Sequence, residues 1–283
     1  MKSIYFYLLG LFFFIALKAS AQDYILIPEN FYLHKGDELK IHQINASQFI
    51  KEAELGFDPS KIDKLLLHNG SKKIDLVPNI KPADSIVLVK AENDGLNTIS
   101  LARKPVTDDI ERDDFVKILE DEGMAQAAEK EKNSSKDTYR EKYTWYLKSL
   151  VKVDKRSANG FDKPLGHEYE IVLKDNPYKG NYGDDIIAEV TLHGKPIVNA
   201  TVLFYIKTAN GNVFVQKLSA DKLGLIYFKL SREGIYMLRS LHIEPSKEKG
   251  ADYETWMTTY TFAFNSSNEM PNSYKQFGFG NVH

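Results

Sequence analysis

The segment SLHIEPSKEKGADYETWMTTYTFAF, residues Ser240–Phe264, decides the fold. It begins with an apolar run, passes through a charged loop and ends in a run rich in Thr, Tyr and Phe. β-Branched and aromatic residues are typical of strands, and a polar loop with glycine between two such runs is typical of a strand connection. The segment therefore predicts two adjoining strands and the loop between them.

Similar alternation continues through both halves of the chain. In residues 167–264, the turns Gly194-Lys195-Pro196, 210–212 and 221–224 separate apolar runs, in an order that resembles transthyretin-like and carboxypeptidase-regulatory-like sandwiches. In residues 22–106, Asn69-Gly70 and Asn93-Asp94-Gly95 are hairpin signals between alternating runs. We expect an antiparallel β-sandwich in each half, Ig-like in the first and transthyretin-like in the second.

The pattern changes between the two sandwiches. In residues 107–153 the apolar residues recur at helical spacing, as Phe115 with Leu119 and Tyr139 with Tyr143 do. This spacing predicts a bridging segment of two helices. Residues 154–166 then form a Gly, Pro and Ser linker, and the polar residues 265–283 a flexible tail. The predicted fold class is mainly β: two antiparallel β-sandwich domains joined by a two-helix segment.

The N-terminus carries an export signal. Lys2 precedes an apolar run from Ile4 to Leu17, and small residues end at Ala21. The run is shorter than the roughly 20 residues that span a bilayer, so it predicts a signal peptide over residues 1–21 with cleavage before Gln22, and no membrane span afterwards. The chain has no cysteine, which excludes a lipid-modified cysteine. We expect a periplasmic protein that is not a lipoprotein.

Composition and motifs argue against several functions. The absence of cysteine excludes disulfides, thiol nucleophiles and thiolate metal sites. A net charge of −2 gives no basic surface for nucleic acid. Neither a phosphate-binding glycine loop nor a G-x-S-x-G elbow occurs. His167 opens the sequence HEYEI, but position 171 is Ile, so the zinc-protease motif is incomplete and we predict a solvated strand residue. We predict no enzyme.

Histidine and acidic residues near the end of the Ser240–Phe264 segment form a candidate metal site. His242 and Glu244 are two residues apart, which places both on one face of a strand. Asp252 and Glu254 in the returning segment, and His193 beside its turn, complete the candidate ligand set. An imidazole and carboxylates would suit Ni, Co, Cu or Zn. The alternative is a structural strand-end histidine bonded to Asp252 or Glu254.

Several segments in their order resemble a known family. They are Asp23–Leu26, DDFVKILEDEG (113–123), REKYTWYLKSL (140–150), GIYMLRSLH ending at His242, and DYETWMTTYTF (252–262). They are similar to the exported bacterial family of unknown function that is commonly labelled the periplasmic component of a cobalt/nickel uptake system. The resemblance implies two sandwich domains, a periplasmic location and a link to metal uptake. Relatives often begin the mature chain with histidine, whereas this chain has Gln22, a weaker ligand.

Two hypotheses about function follow. The first is a non-enzymatic periplasmic binding or accessory protein, with Ni or Co as cargo rather than as a resident cofactor and a metal uptake system or envelope protein as partner. The second is a structural or interaction module that binds carbohydrate or a protein partner at the cell envelope. In that case, Trp256, Tyr253 and Tyr178 would be the contact residues.

Overall fold

The computed structural model describes residues 23–81, 85–155, 161–270 and 273–280. The predicted signal peptide and its cleavage site lie outside these ranges. The described chain is mainly β, which confirms the predicted fold class. Its strands are β1 (Asp23–Pro28), β2 (Tyr32–Leu33), β3 (Glu38–Ser47), β4 (Ile50–Leu55), β5 (Ile62–Asn69), β6 (Lys72–Asp75), β7 (Ile86–Lys90), β8 (Gly95–Arg103), β9 (Val106–Glu111), β10 (Thr138–Val153), β11 (Tyr169–Leu173), β12 (Asp185–Leu192), β13 (Lys195–Pro196), β14 (Thr201–Lys207), β15 (Val213–Ser219), β16 (Leu225–Lys229), β17 (Gly234–Pro245) and β18 (Tyr253–Phe264). The α-helices are α1 (Arg112–Asp121), α2 (Ala125–Lys132) and α3 (Ser273–Gln276).

One long sheet runs through both halves of the chain. Its ten strands include the order β15-β14-β17-β18-β10-β8-β5-β6, and β2 and β9 also pair with β10. Two four-stranded sheets accompany it, one made of β1, β3, β4 and β7 and the other of β11, β12, β13 and β16. The Ser240–Phe264 segment supplies the second half of β17 and all of β18, which are antiparallel neighbours near the middle of the long sheet. Its prediction is confirmed.

The long sheet is covered on both faces by apolar contacts. Ile235 and Met237 of β17 belong to the core that contains β1 and β3, whereas Tyr236 and Leu238 belong to the core that contains β11 and β12. Since successive residues of a strand point to opposite faces, the two small sheets lie on opposite sides of the long one. The two predicted sandwiches therefore share their middle layer.

The predicted second helix is wrong. Residues 138–153 form the 16-residue strand β10, which is parallel to β18 and antiparallel to β8. The middle and last parts of β10 are buried on both faces, so apolar residues occupy odd and even positions and period-two alternation is lost. The first predicted helix is correct for α1 and α2 only, because residues 106–111 form strand β9.

Of the two hairpins predicted in the first half, one is confirmed and one is wrong. Asn69-Gly70 does form a hairpin, since β5 and β6 are paired. Asn93-Asp94-Gly95 does not, because β7 pairs with β3 and β8 pairs with β5 and β10, so this connection crosses between sheets.

The predicted flexible tail is wrong for the part that the structure describes. Tyr274, Phe277 and Phe279 are buried in the first core. The Tyr274 ring stacks on His42 with centroids 3.8 Å apart, and its hydroxyl contacts Glu54 and Lys51. The prediction relied on the polar composition of the segment and overlooked these three aromatic residues, which fix the tail to the first sandwich.

Charged groups also lie inside the protein. Arg239 is 1% exposed, and its guanidinium pairs with Asp23, at 2.8 Å, and with Glu122. It ties β1 and the end of α1 to the long sheet. Within the described ranges, no helix is both long and apolar enough to cross a membrane.

Candidate functional site

Strands β17 and β18 position the predicted metal ligands. In their antiparallel register His242 lies opposite Trp256 and Glu244 lies opposite Glu254. His242 and Glu244 share a face, as their spacing in the sequence predicts. Their side chains form an ion pair in which His242 Nε2 lies 3.5 Å from a Glu244 carboxylate oxygen, and both side chains are partly exposed.

His193 reaches this pair from another sheet. It lies in the turn between β12 and β13 with a φ of +50°, a left-handed conformation suited to a tight turn. Its ring meets Trp256 edge-on at a centroid distance of 5.7 Å, and the His242 ring is 6.1 Å from the same indole. Trp256 is buried and donates its indole N–H to Glu168 at 3.0 Å. We call His193, His242, Glu244, Trp256 and Glu168 the histidine site.

Burial sets the charge of His242. Desolvation lowers the pKa of His242 below its ordinary value, Glu244 opposes this shift and the neighbouring His193 adds to it. The imidazole is therefore neutral at pH 7, and a ring nitrogen can accept a hydrogen bond or bind a metal. The site presents two imidazoles and the carboxylates of Glu244 and Glu168 at the surface.

The other two predicted ligands have partners of their own. Asp252 pairs with Lys136 and accepts the backbone N–H of Arg140 at 3.0 Å. Glu254 accepts a hydrogen bond from Ser246 at 2.9 Å. Across the described residues, no group of three His, Asp or Glu side chains is placed to hold a metal ion. The structure thus brings His193, His242 and Glu244 near one another, but among the described residues they do not form a complete set of metal ligands.

The aromatic residues proposed as contacts are not at the surface. Trp256, Tyr253 and Tyr178 are all buried. The Tyr178 hydroxyl donates to the Leu150 carbonyl oxygen, and the Tyr253 hydroxyl donates to Glu131. Each side chain packs in a core and satisfies its polar atom there, so none is an accessible platform. Their predicted contact role is wrong.

A polar cluster inside the second sandwich was not predicted. Lys148 and Glu170 form a buried ion pair at 2.8 Å, and both carboxylate oxygens of Glu170 accept the backbone N–H of Leu165. Nearby, the His167 ring stacks on Tyr146 with its Nδ1 buried and unpartnered. His167 is therefore not the solvated strand residue predicted. The sequence pattern gave no signal for this cluster, because it joins two separate segments, residues 146–148 and 165–170.

Comparisons with solved structures give only distant likenesses. The tetra-tandem repeat in the extending region of a large adhesion protein has 9% identity and a TM-score of 0.22, over 86% of this chain and 50% of that one. Three N-terminal domains of the bacteriophage RB49 outer capsid protein Hoc have 7% identity and a TM-score of 0.21, over 86% and 71%. The D0-D1 domain of intimin has 9% identity and a TM-score of 0.20, over 85% and 97%. The chain spans half the length of the first of these, and scores this low carry no argument about function.

Sequence comparisons are more specific. No curated protein matches the chain. A family described as a domain of unknown function, DUF4198, matches residues 19–244, which is most of the chain and includes His193, His242 and Glu244. The protein therefore belongs to the DUF4198 family.

Proposed function

We propose that this protein is an exported, non-enzymatic binding module of the cell envelope and that the histidine site is one of its binding surfaces. A signal peptide ending at Ala21 would deliver it to the periplasm. One observation carries the proposal. His193, His242 and Glu244 keep ligand-capable atoms at the surface, although the Trp256 indole beneath them is fully packed and bonded. A rigid, packed base under accessible polar groups suits recognition.

Retention on cell-envelope material tests the proposal. The mature protein, beginning at Gln22, is incubated with purified envelope of the source bacterium and sedimented. We expect retention that falls at least tenfold when His193 and His242 are both replaced by Ala. A His34→Ala variant is the matched control, because His34 is an exposed histidine that pairs with Asp154, away from the site. No retention, or equal retention of all three proteins, would contradict the proposal.

A second candidate is an accessory role in Ni²⁺ or Co²⁺ uptake. The 3.5 Å contact between His242 and Glu244 favours it, because a neutral imidazole and a carboxylate already face one another. A metal that binds only the folded state stabilises it by about 2.7 kcal/mol at 100 times its dissociation constant. For a chain of this size the melting temperature should then rise by roughly 5–10 °C.

The two candidates separate in one titration. Under the metal role, NiCl₂ or CoCl₂ raises the melting temperature of the mature protein and His242→Ala removes the rise, while His34→Ala keeps it. If neither salt shifts the melting temperature, the metal role is excluded. Envelope retention in that case assigns the histidine site to a protein or carbohydrate partner.

A further inference from the structure

A second surface, on the first sandwich, holds an arginine against a pair of aromatic rings. Arg103 ends strand β8, and its guanidinium carbon lies 5.1 Å from the Tyr24 ring centroid and 5.0 Å from that of Trp145. The two rings meet edge-to-face at 4.8 Å, and Tyr143 meets Trp145 in the same way at 4.6 Å. Cation–π contacts with both rings favour this position of the guanidinium.

The Arg103 guanidinium has no acceptor within the described residues. Neither a hydrogen bond nor an ion pair reaches it, and its contacts are the two ring faces. Other arginines differ, since Arg239 pairs with Asp23 and Arg140 lies 3.8 Å from Asp109. A guanidinium carries five N–H donors in a planar fork that matches a carboxylate. The aromatic rings hold this fork in place, and among the described residues it has no acceptor.

A cavity of about 250 Å³ opens beside Arg103. Its lining includes Gln43, whose side-chain amide has no hydrogen-bond partner in the described chain although the residue is only 3% exposed. Lys61 and Asp58 lie at the rim as an exposed pair 3.7 Å apart, and Asp58 also accepts hydrogen bonds from Ser60. The cavity therefore combines an unpaired cation with an unpaired amide that can both donate and accept.

We propose that this cavity, the Arg103 pocket, binds the carboxylate of an acidic sugar unit, such as a uronic acid residue of an envelope polysaccharide. The carboxylate would take the two parallel N–H groups of Arg103, and the amide of Gln43 would bond to ring hydroxyls. The volume is below the roughly 300–1,000 Å³ of drug-sized sites, so it suits one sugar ring. The proposal deepens the binding role proposed above, at a different surface from the histidine site.

Calorimetric titration tests the ligand class. The probes are trigalacturonate, its fully methyl-esterified form and a peptide with a free C-terminal carboxylate. We expect the mature protein to bind trigalacturonate at least tenfold more tightly than the ester, because only the acid gives Arg103 a charged acceptor. Equal binding of acid and ester, no binding of the acid, or preference for the peptide would overturn the proposal.

Variants test the pocket itself. Arg103→Gln should weaken trigalacturonate binding at least tenfold, and Arg103→Lys should weaken it as well, because an ammonium cannot form the bidentate contact. Lys104→Gln is the matched control: it removes one neighbouring positive charge, which donates to the Ser60 carbonyl oxygen, and binding should stay within twofold. Unchanged affinity in Arg103→Lys, which keeps the charge over both rings and so the fold, overturns the proposal even if Arg103→Gln fails to fold.

Failure of the Arg103 pocket and failure of the proposed binding function give different results. Wild-type protein that sediments with envelope but does not bind trigalacturonate overturns the Arg103 pocket and leaves the binding role standing. Trigalacturonate affinity that is lost in Arg103→Gln and unchanged in the double histidine variant supports the pocket independently of the histidine site.

Discussion

Replacing His167 by Phe should make the protein more resistant to acid. The His167 ring stacks on Tyr146, and its buried Nδ1 has no hydrogen-bond partner. Phe keeps the stacking and leaves no polar group unsatisfied, so the free energy of unfolding at pH 7.5 should be unchanged or slightly higher. The difference should appear only when the pH falls.

The magnitude follows from proton linkage. Burial lowers the pKa of His167 to about 3, with the positive charge of Lys148 adding to the shift. In the unfolded chain the pKa of histidine is about 6.5, so at pH 5 the unfolded state binds a proton there and the folded state does not. The contribution of this group to the free energy of unfolding is therefore largest above pH 6.5, and it decreases as the pH falls towards 3. At pH 5 the loss from this one group is about 2 kcal/mol.

Urea unfolding at pH 7.5 and pH 5.0 measures the effect. The drop in unfolding free energy between these pH values should be about 2 kcal/mol smaller in His167→Phe than in the wild type. Taking the difference between the two proteins cancels the titration of the remaining groups. His34→Gln is the control, because this exposed histidine is paired with Asp154, which raises its pKa, so its removal should not reduce the acid-induced loss. Equal losses in His167→Phe and wild type would refute the reasoning.

Three further predictions concern stability. Arg239→Met should lower the free energy of unfolding, measured by thermal denaturation, by about 3–5 kcal/mol because it leaves Asp23 and Glu122 buried without a cation. The surface variant Arg140→Met should lower it by less than about 1 kcal/mol, and equal losses in the two variants would contradict the role of the buried ion pairs. Gly234→Ala should cost about 1–3 kcal/mol in chemical denaturation, since a Cβ there meets the backbone carbonyl of residue 207, and a neutral result would contradict this close approach. Tyr274→Ala should cost about 3–5 kcal/mol and expose the tail to limited proteolysis, whereas an unchanged cleavage pattern would show that the tail is not anchored through this ring.

The sequence allowed strands of the second half to be predicted because turn residues there separate short apolar runs. β11, β12 and β14 follow clear runs between turn residues, and the structure has them close to where the pattern places them. β10 could not be predicted in this way. It is covered on both faces, and its apolar residues Tyr139, Tyr143 and Leu147 have a spacing that fits a helix as well as it fits a strand.

The candidate sites also differ in how far the sequence could predict them. The His242 and Glu244 pair depends on neighbours two residues apart in one strand, and strand geometry alone predicts their contact. The approach of His193 depends on how a second sheet sits on the first, which no local pattern encodes. The Arg103 pocket is assembled from β1, β3, β8 and β10, and each of its residues is unremarkable in its own segment.

The middle layer shared by both halves has a consequence for biosynthesis. β10 is complete once residue 153 has been made, but its long parallel neighbour, β18, begins only at residue 253. A ribosome adding about 5–20 residues per second needs several seconds to cover that interval. During this time the first core lacks the apolar residues that β17 and β18 contribute to it. A fragment that ends within residues 154–166 would never acquire them.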